Sequence, residues 1–290
     1  MKPRSLMFTF FGEYIKHYGG EVWMGSLIKM MSHFGISESS LRGAVLRMVQ
    51  QDYISVRKIG NKSYATLTEK GRRRMEDGLA RIYSSRHLNW DGHWRVLIYS
   101  IPEERRELRT QIRKELNWTG FGLISHSTWA SPNPLEEQVL EMAKTYDLEN
   151  NTILFKTSSI ISHTNEEIVR KGWDLDAISA EYAVFIEKYE KVYGELKDKT
   201  WAGSLPEEKC FEMRTILVHE YRKFLFVDPG LPVDLLPEGW NGLKARELFF
   251  NLHQLLSIPS TKYFERIFKH APDTEPAMNR DRAVNPFTGV

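Results

Sequence analysis

Residues 24–67 read MGSLIKMMSHFGISESSLRGAVLRMVQQDYISVRKIGNKSYATL, and the fold of the N-terminal region follows from them. Leu27, Ile28, Met31 and Phe34 recur at helical spacing, which predicts a helix over residues 24–34. Gly35-Ile36 then makes a turn. Ser37 is a good N-cap and Glu38 suits the positive end of a helix dipole, so a second helix starts there and runs to about residue 51. Residues 54–58 and 63–67 read as two strands around a Gly60-Asn61 turn, a hairpin. Thr68 can cap a further helix over 69–86, and upstream a helix over 6–17 breaks near Gly19-Gly20. Helix, turn, helix and hairpin in this order predict a winged helix-turn-helix.

On a helical wheel of residues 38–52, Leu41, Ala44, Val45, Met48, Val49 and Asp52 fall on one side, which should pack on the preceding helix. Ser39, Ser40, Gly43, Arg47, Gln50 and Gln51 fall opposite, with Arg42 and Leu46 on a flank. A small, polar face near the helix N-terminus can approach a DNA groove closely, and arginine can pair bidentately with guanine. The expected DNA contacts are therefore Ser37, Ser39, Ser40, Arg42 and Arg47, joined by Arg57, Lys58, Asn61, Lys62 and Tyr64 of the hairpin. Gly43 is costly inside a helix, and two accounts stand open: close backbone approach to DNA, or crowding by another helix. The run Arg72-Arg73-Arg74 reads as a solvated face or a phosphate contact.

Outward from this region, residues 88–92 read as a linker. Strands are expected over 95–100, 121–130 and 152–156, and helices over 103–116 and 135–146, a pattern that points to a ferredoxin-like module. From residue 165 the chain is mostly helical, with helices over 178–199, 207–226, 245–256 and 262–270 and a Pro/Gly-rich loop over 231–241. Residues 272–290 read as a loose tail. The fold class is α+β multidomain: a winged helix-turn-helix (1–87), a central ferredoxin-like α+β domain (93–164), a mostly helical C-terminal domain (165–271) and the tail.

Composition narrows the function. Of 290 residues, 41% are hydrophobic and 27% charged, ordinary for a globular protein. The net charge is only +2, but residues 1–87 hold 15 lysines and arginines against 7 acids, and the remainder 25 against 31. A basic segment on a mildly acidic body is expected where one end meets phosphates. The lone Cys210 allows no internal disulfide and fits a reducing cytoplasm. No apolar stretch is long enough for a membrane span. No HExxH, G-x-S-x-G or P-loop spacing occurs, and His126 and His163 stand isolated, so neither a metal site nor catalytic residues are expected.

The segments SLMFTFFGEY (5–14), GEVW (20–23), GIS (35–37), GNKSY (60–64), WDL (173–175) and LVHEYRKFLFVDPGLP (217–232) resemble the phenylacetate-degradation repressor family, PaaX. The resemblance spans most of the chain. It implies a central domain akin to the small CRISPR-associated nucleases that serves dimerisation, and a homodimer on a palindromic operator in double-stranded DNA. It also implies repression of phenylacetate catabolic genes, with phenylacetyl-CoA as the releasing effector and no other cofactor. A CoA ester needs cations for its phosphates and an apolar slot, so His219, Arg222 and Lys223 read either as effector ligands or as cations that balance the C-terminal dipole of their helix, and Trp129, Trp173 and Trp201 either as aromatic ligands or as core residues. Two alternatives remain: a regulator answering a different aryl- or acyl-CoA, or a metal-dependent nuclease-like protein. Against the latter, the first strand of the central module ends at Ser100, where a carboxylate would be needed to hold Mg2+.

Overall fold

The computed structural model describes residues 1–83, 89–198, 205–273 and 279–287. The chain opens with α1 (Pro3–Glu13), where proline in the first turn sacrifices no helical hydrogen bond, and a 3-10 turn at Ile15–His17. A three-residue strand β1 (Glu21–Trp23) leads into α2 (Met24–Ser32) and α3 (Glu38–Gln50). The hairpin β2 (Ile54–Ile59) and β3 (Lys62–Leu67) follows, then α4 (Glu69–Tyr83). Gly35 and Gly60 adopt φ of 69° and 58°, the left-handed conformation both turns require. The Ser37 hydroxyl caps α3 by accepting from the Ser40 N–H at 3.3 Å. β1 adds to the hairpin, giving an antiparallel sheet of order β1-β3-β2 with β3 in the centre.

The next elements are β4 (Trp94–Tyr99), α5 (Arg106–Thr119), β5 (Gly122–Ser125), β6 (Thr128–Ser131), α6 (Glu136–Thr145) and β7 (Thr152–Thr157). The single strand expected over 121–130 is a hairpin that turns at His126-Ser127. The sheet is antiparallel throughout, in the order β5-β6-β4-β7 of a ferredoxin-like module. Then come α7 (Asn165–Gly172), α8 (Leu175–Asp198), α9 (Glu207–Tyr221), α10 (Asn241–Ile267) and α11 (Arg280–Val284). The two helices expected at 245–256 and 262–270 are the one helix α10, which contains Pro259. Proline removes a helical hydrogen bond. Arg214 braces this stretch from outside by donating to the Ser257 carbonyl oxygen at 3.2 Å and the Thr261 hydroxyl at 3.0 Å. No described helix is long and apolar enough to cross a membrane.

The chain forms two compact units. One comprises Met1–Ser84, Phe185–Lys223 and Lys244–Val290, and the other Ser85–Val184 and Phe224–Leu243. The helical region expected as one domain over 165–271 is thus divided between them. In the first unit, Phe10, Phe11 and Tyr14 of α1 pack with Leu27, Met30 and Leu41, and also with Phe211, Phe264 and Ala283 from the far end of the chain. The described part of the expected loose tail is therefore packed: Ala283 and Phe287 are buried, and the Asn279 N–H donates to the His17 carbonyl at 2.8 Å.

A buried charge cluster lies inside this core. Glu13 and Arg214 are 2% and 0% exposed, with Arg214 Nε 2.5 Å from Glu13 Oε1. His253 Nε2 lies 2.7 Å from the same oxygen, and the Tyr83 hydroxyl donates to the other. Arg214 spends its remaining donors on Ser257, Ser260, Thr261 and, at 2.6 Å, the Ala283 carbonyl. Burial alone would raise the Glu13 carboxyl, but Arg214 and His253 overcome it and hold the group well below the usual carboxylate range.

In the second unit one sheet face, with Leu97, Tyr99 and Trp129, packs on Ile112 and Leu116 of α5 and Val139 of α6. On the other face α7 meets β5, and a Cβ at Gly122 would lie 2.8 Å from the Gly172 backbone, so glycine is needed there. Next to this contact the same face is bare. Ile98 pairs with Ile153 and Val96 with Phe155, and Ile98, Ile153 and Phe155 are 38%, 56% and 48% exposed.

Removing one member of a buried ion pair strands the other and costs about 3–5 kcal/mol. Arg214→Met is therefore expected to lower stability by about that much in urea denaturation. Adding Glu13→Gln is expected to restore part of the loss, because no uncompensated carboxylate is then left inside.

Candidate nucleic-acid interface

α3 buries Leu41, Ala44, Val45 and Met48 and presents Ser39, Ser40, Arg42 and Arg47 to solvent. Arg42 folds back on Glu38 one turn earlier, Nη2 to Oε1 at 2.6 Å, an exposed pair that exchanges readily with phosphate or base partners. Ser37 spends its oxygen on the cap and on the Ser39 and Ser40 hydroxyls at 3.1 and 3.0 Å. Val49, expected on the packed side, sits at the rim of the apolar stripe and is 40% exposed, as Leu46 is at 59%. A Cβ at Gly43 would meet only the Arg47 guanidinium, at 3.6 Å. Helix crowding therefore does not explain this glycine.

The hairpin presents Lys58, Asn61 and Lys62 on the surface. Two hairpin residues depart from expectation. Arg57 is held by two carboxylates: its Nε and Nη2 each lie 2.6 Å from Glu21, and its Nη1 and Nη2 lie 2.7 and 2.9 Å from Asp273. Tyr64 is 3% exposed, because β1 makes β3 the central strand and Trp23 pairs directly with Tyr64. In exchange the structure adds a cation that no local pattern signals. Lys62 and the exposed Lys269 both lie over the Trp23 ring, at 5.4 and 5.5 Å from its centroid. Arg72 and Arg73 form exposed pairs with Glu69.

Two of the effector candidates are tied to α1. His219 is 6% exposed with Nδ1 3.1 Å from the Thr9 hydroxyl. Arg222 donates to the Ser5 carbonyl and, at 2.9 Å, to the Thr9 hydroxyl. Both fasten the end of α9 to α1, and burial lowers the Arg222 guanidinium to about 10. Arg222 is half-buried and Lys223 is exposed. Trp129 is a core residue, and Trp201 lies outside the described residues. Trp173 instead lines a cleft of about 960 Å3 in the second unit, together with Trp90, Arg170, Lys171 and five carboxylates, among them Asp234 and Glu166, which pairs with Arg170 at 2.6 Å. Ser100 follows the end of β4 and donates its N–H to the Asn151 carbonyl at 2.9 Å. Glu103 sits beyond, paired with Arg109, so no carboxylate occupies the strand end.

Fold and surface together define a class: a protein of two α+β units, one with a basic helix-and-hairpin surface and the other with a ferredoxin-like sheet. Family models match along the chain: "PaaX-like protein" over residues 2–71, "PaaX protein central Cas2-like domain" over 87–169 and "PaaX-like protein C-terminal domain" over 173–266. The chain is 31% identical over 253 residues to the transcriptional repressor PaaX of Escherichia coli K12, covering 86% of this chain and 79% of that one. It belongs to the PaaX family. An uncharacterized Mycobacterium tuberculosis protein of solved structure aligns with a TM-score of 0.46 at 22% identity, over 83% of this chain and 89% of that one.

Burial lowers two imidazoles of the first unit, His17 and His219, from 6.5 to about 4, with nearby cations adding to the effect. The unfolded chain therefore takes up these protons before the folded one does. The resulting stability is complete above pH 6.5 and is lost as pH falls towards 4. The urea midpoint is expected to drop between pH about 7 and about 5, and His219→Gln is expected to flatten that dependence.

Proposed function

We propose that the chain is a cytoplasmic transcriptional repressor of phenylacetate catabolic genes, released from its operator by phenylacetyl-CoA. In this reading α2, the Gly35 turn, α3 and the β2–β3 hairpin form a winged helix-turn-helix, with α3 entering the major groove N-terminus first. One observation carries it. Gly43 opens to solvent on the same α3 face as Ser39, Ser40 and Arg47, next to a hairpin bearing Lys58 and Lys62. A helix face with nothing larger than serine before its arginine is shaped to approach another surface closely, and its charges suit phosphates and guanine. Repression is the activity that the name of the Escherichia coli relative prints.

A palindromic operator calls for a two-fold partner. The exposed apolar strip of Ile98, Ile153 and Phe155 supports a homodimer in which two copies pair along it. We place the effector in the cleft beside Trp90 and Trp173. There the rings suit an aryl group, while Lys171 and Arg170, the latter exchanging its exposed pairing with Glu166, suit phosphate. This reading gives the chain no catalytic step.

Fluorescence anisotropy on DNA from the chain's own promoter region tests these assignments. Arg47→Ala is expected to cost about 1–3 kcal/mol of discrimination against random DNA. Lys58→Ala is expected to weaken all sequences alike and reduce the salt slope by about one. Gly43→Ala separates two roles: it is expected to stabilise the free protein by about 1 kcal/mol while weakening operator binding. A stabilised variant with unchanged operator affinity would remove α3 from the groove. Phenylacetyl-CoA is expected to lower operator affinity roughly 5–150-fold, whereas free phenylacetate and CoA leave it unchanged. Release by another acyl-CoA alone would reassign the effector and leave the DNA reading intact.

A further inference from the structure

We infer that His33, Glu208 and Glu212 form a binding site for a divalent transition-metal cation of the Zn2+ type, which joins the end of α2 to α9. The site is independent of the DNA-binding reading. His33 directly follows α2, while Glu208 and Glu212 lie one turn apart on α9, so their side chains emerge on the same face. His33 Nδ1 lies 3.3 Å from an oxygen of each glutamate, and one donor atom from each of the three residues lies within 4.8 Å of the others.

Those spacings match a coordination polyhedron. Zinc binds imidazole nitrogen and carboxylate oxygen at about 2.0–2.2 Å. Two ligands of a tetrahedron with such bonds stand roughly 3.3–3.5 Å apart, as the His33 nitrogen does from each carboxylate oxygen. The outer contacts suit the same role. The Tyr263 hydroxyl lies 2.8 Å from His33 Nε2, which orients the ring and leaves Nδ1 as the nitrogen facing the carboxylates. Lys209 Nζ lies 3.0 Å from the second oxygen of Glu212, which turns the first towards the site.

Two carboxylates and an imidazole nitrogen are a donor set that zinc accepts. Burial is graded across the set, with side-chain exposures of 11% for His33, 23% for Glu212 and 55% for Glu208, so the site opens to solvent on the Glu208 side. Water completes the coordination from there, and the cation enters by the same side.

The test uses untagged full-length protein stripped with a chelator. Titration with Co2+ is expected to give a visible d–d absorption saturating at one ion per chain, and Zn2+ is expected to abolish it. Glu208→Gln with Glu212→Gln, one exposed and one half-buried change that keep the side-chain size, is expected to weaken Zn2+ binding at least about 100-fold by calorimetry. Tyr263→Phe keeps all three ligands and is expected to weaken it about 10-fold. Zn2+ is expected to raise the unfolding temperature of the parent protein and not that of the double variant, since a ligand stabilises only the state that binds it. A parent protein with no Co2+ band and no stoichiometric heat would overturn the inference, and so would equal affinity in the double variant. A proton shared by His33 and the glutamates would then account for the cluster.

Discussion

The Glu13 carboxylate ends α1 where water does not reach, and it stays ionised only because Arg214 and His253 bind it there. Arg214 in turn needs acceptors on every nitrogen, and it finds them on α10 and on the Ala283 carbonyl of α11. A buried charge pair of this kind tolerates few alternative packings, since any shift strands a charge or a donor. α1, α4, α9, α10 and α11 are thereby held to one arrangement. The Phe10, Tyr14, Phe211 and Phe264 rings then fill the space around it.

α3 is carried on that framework. Its apolar stripe rests on the same core that contains α1, so the face bearing Gly43 and Arg47 is fixed by residues far from it in sequence. The hairpin is fastened in a similar way, through β1 on one edge and through Arg57 to Glu21 and Asp273. Arg57 thus supports the basic surface without belonging to its free charge. His219 and Arg222 likewise fasten one helix to another through Thr9 and Ser5.

What the sequence made legible was local. The Ser37 cap, the Gly35 and Gly60 turns and the strand alternation each depend on neighbours a few residues away, and α2, α3 and the β2–β3 hairpin stand where these signals put them. β1 escaped because three residues carry no period, and without it Tyr64 looked like an edge residue. The β5–β6 hairpin read as one strand because His126-Ser127 lacks the glycine or proline that marks a turn. Two helices were expected where α10 runs on through Pro259, and Arg214 contacts Ser257 and Thr261 on either side of it from 45 residues earlier in the chain. Arg57, His219, Arg222 and His33 all have partners far away in sequence, and no pattern of spacing announces such pairs. Within the basic surface, the exposed α3 residues and Lys58, Asn61 and Lys62 were legible, whereas Lys269 over Trp23 was not.

The first unit is assembled from three separate stretches of chain, and its core draws on both ends. A ribosome delivers those ends at different times. When residues 1–84 have emerged, Phe10, Phe11 and Tyr14 still lack the Phe211, Phe264 and Ala283 surfaces that cover them, and Glu13 has no Arg214. The N-terminal stretch must wait with apolar surface uncovered until residues 211–283 have followed, an interval in which such chains depend on protection from aggregation. A chain cut before residue 211 would lack the groups that hold α1, and with them the firm seat of α3.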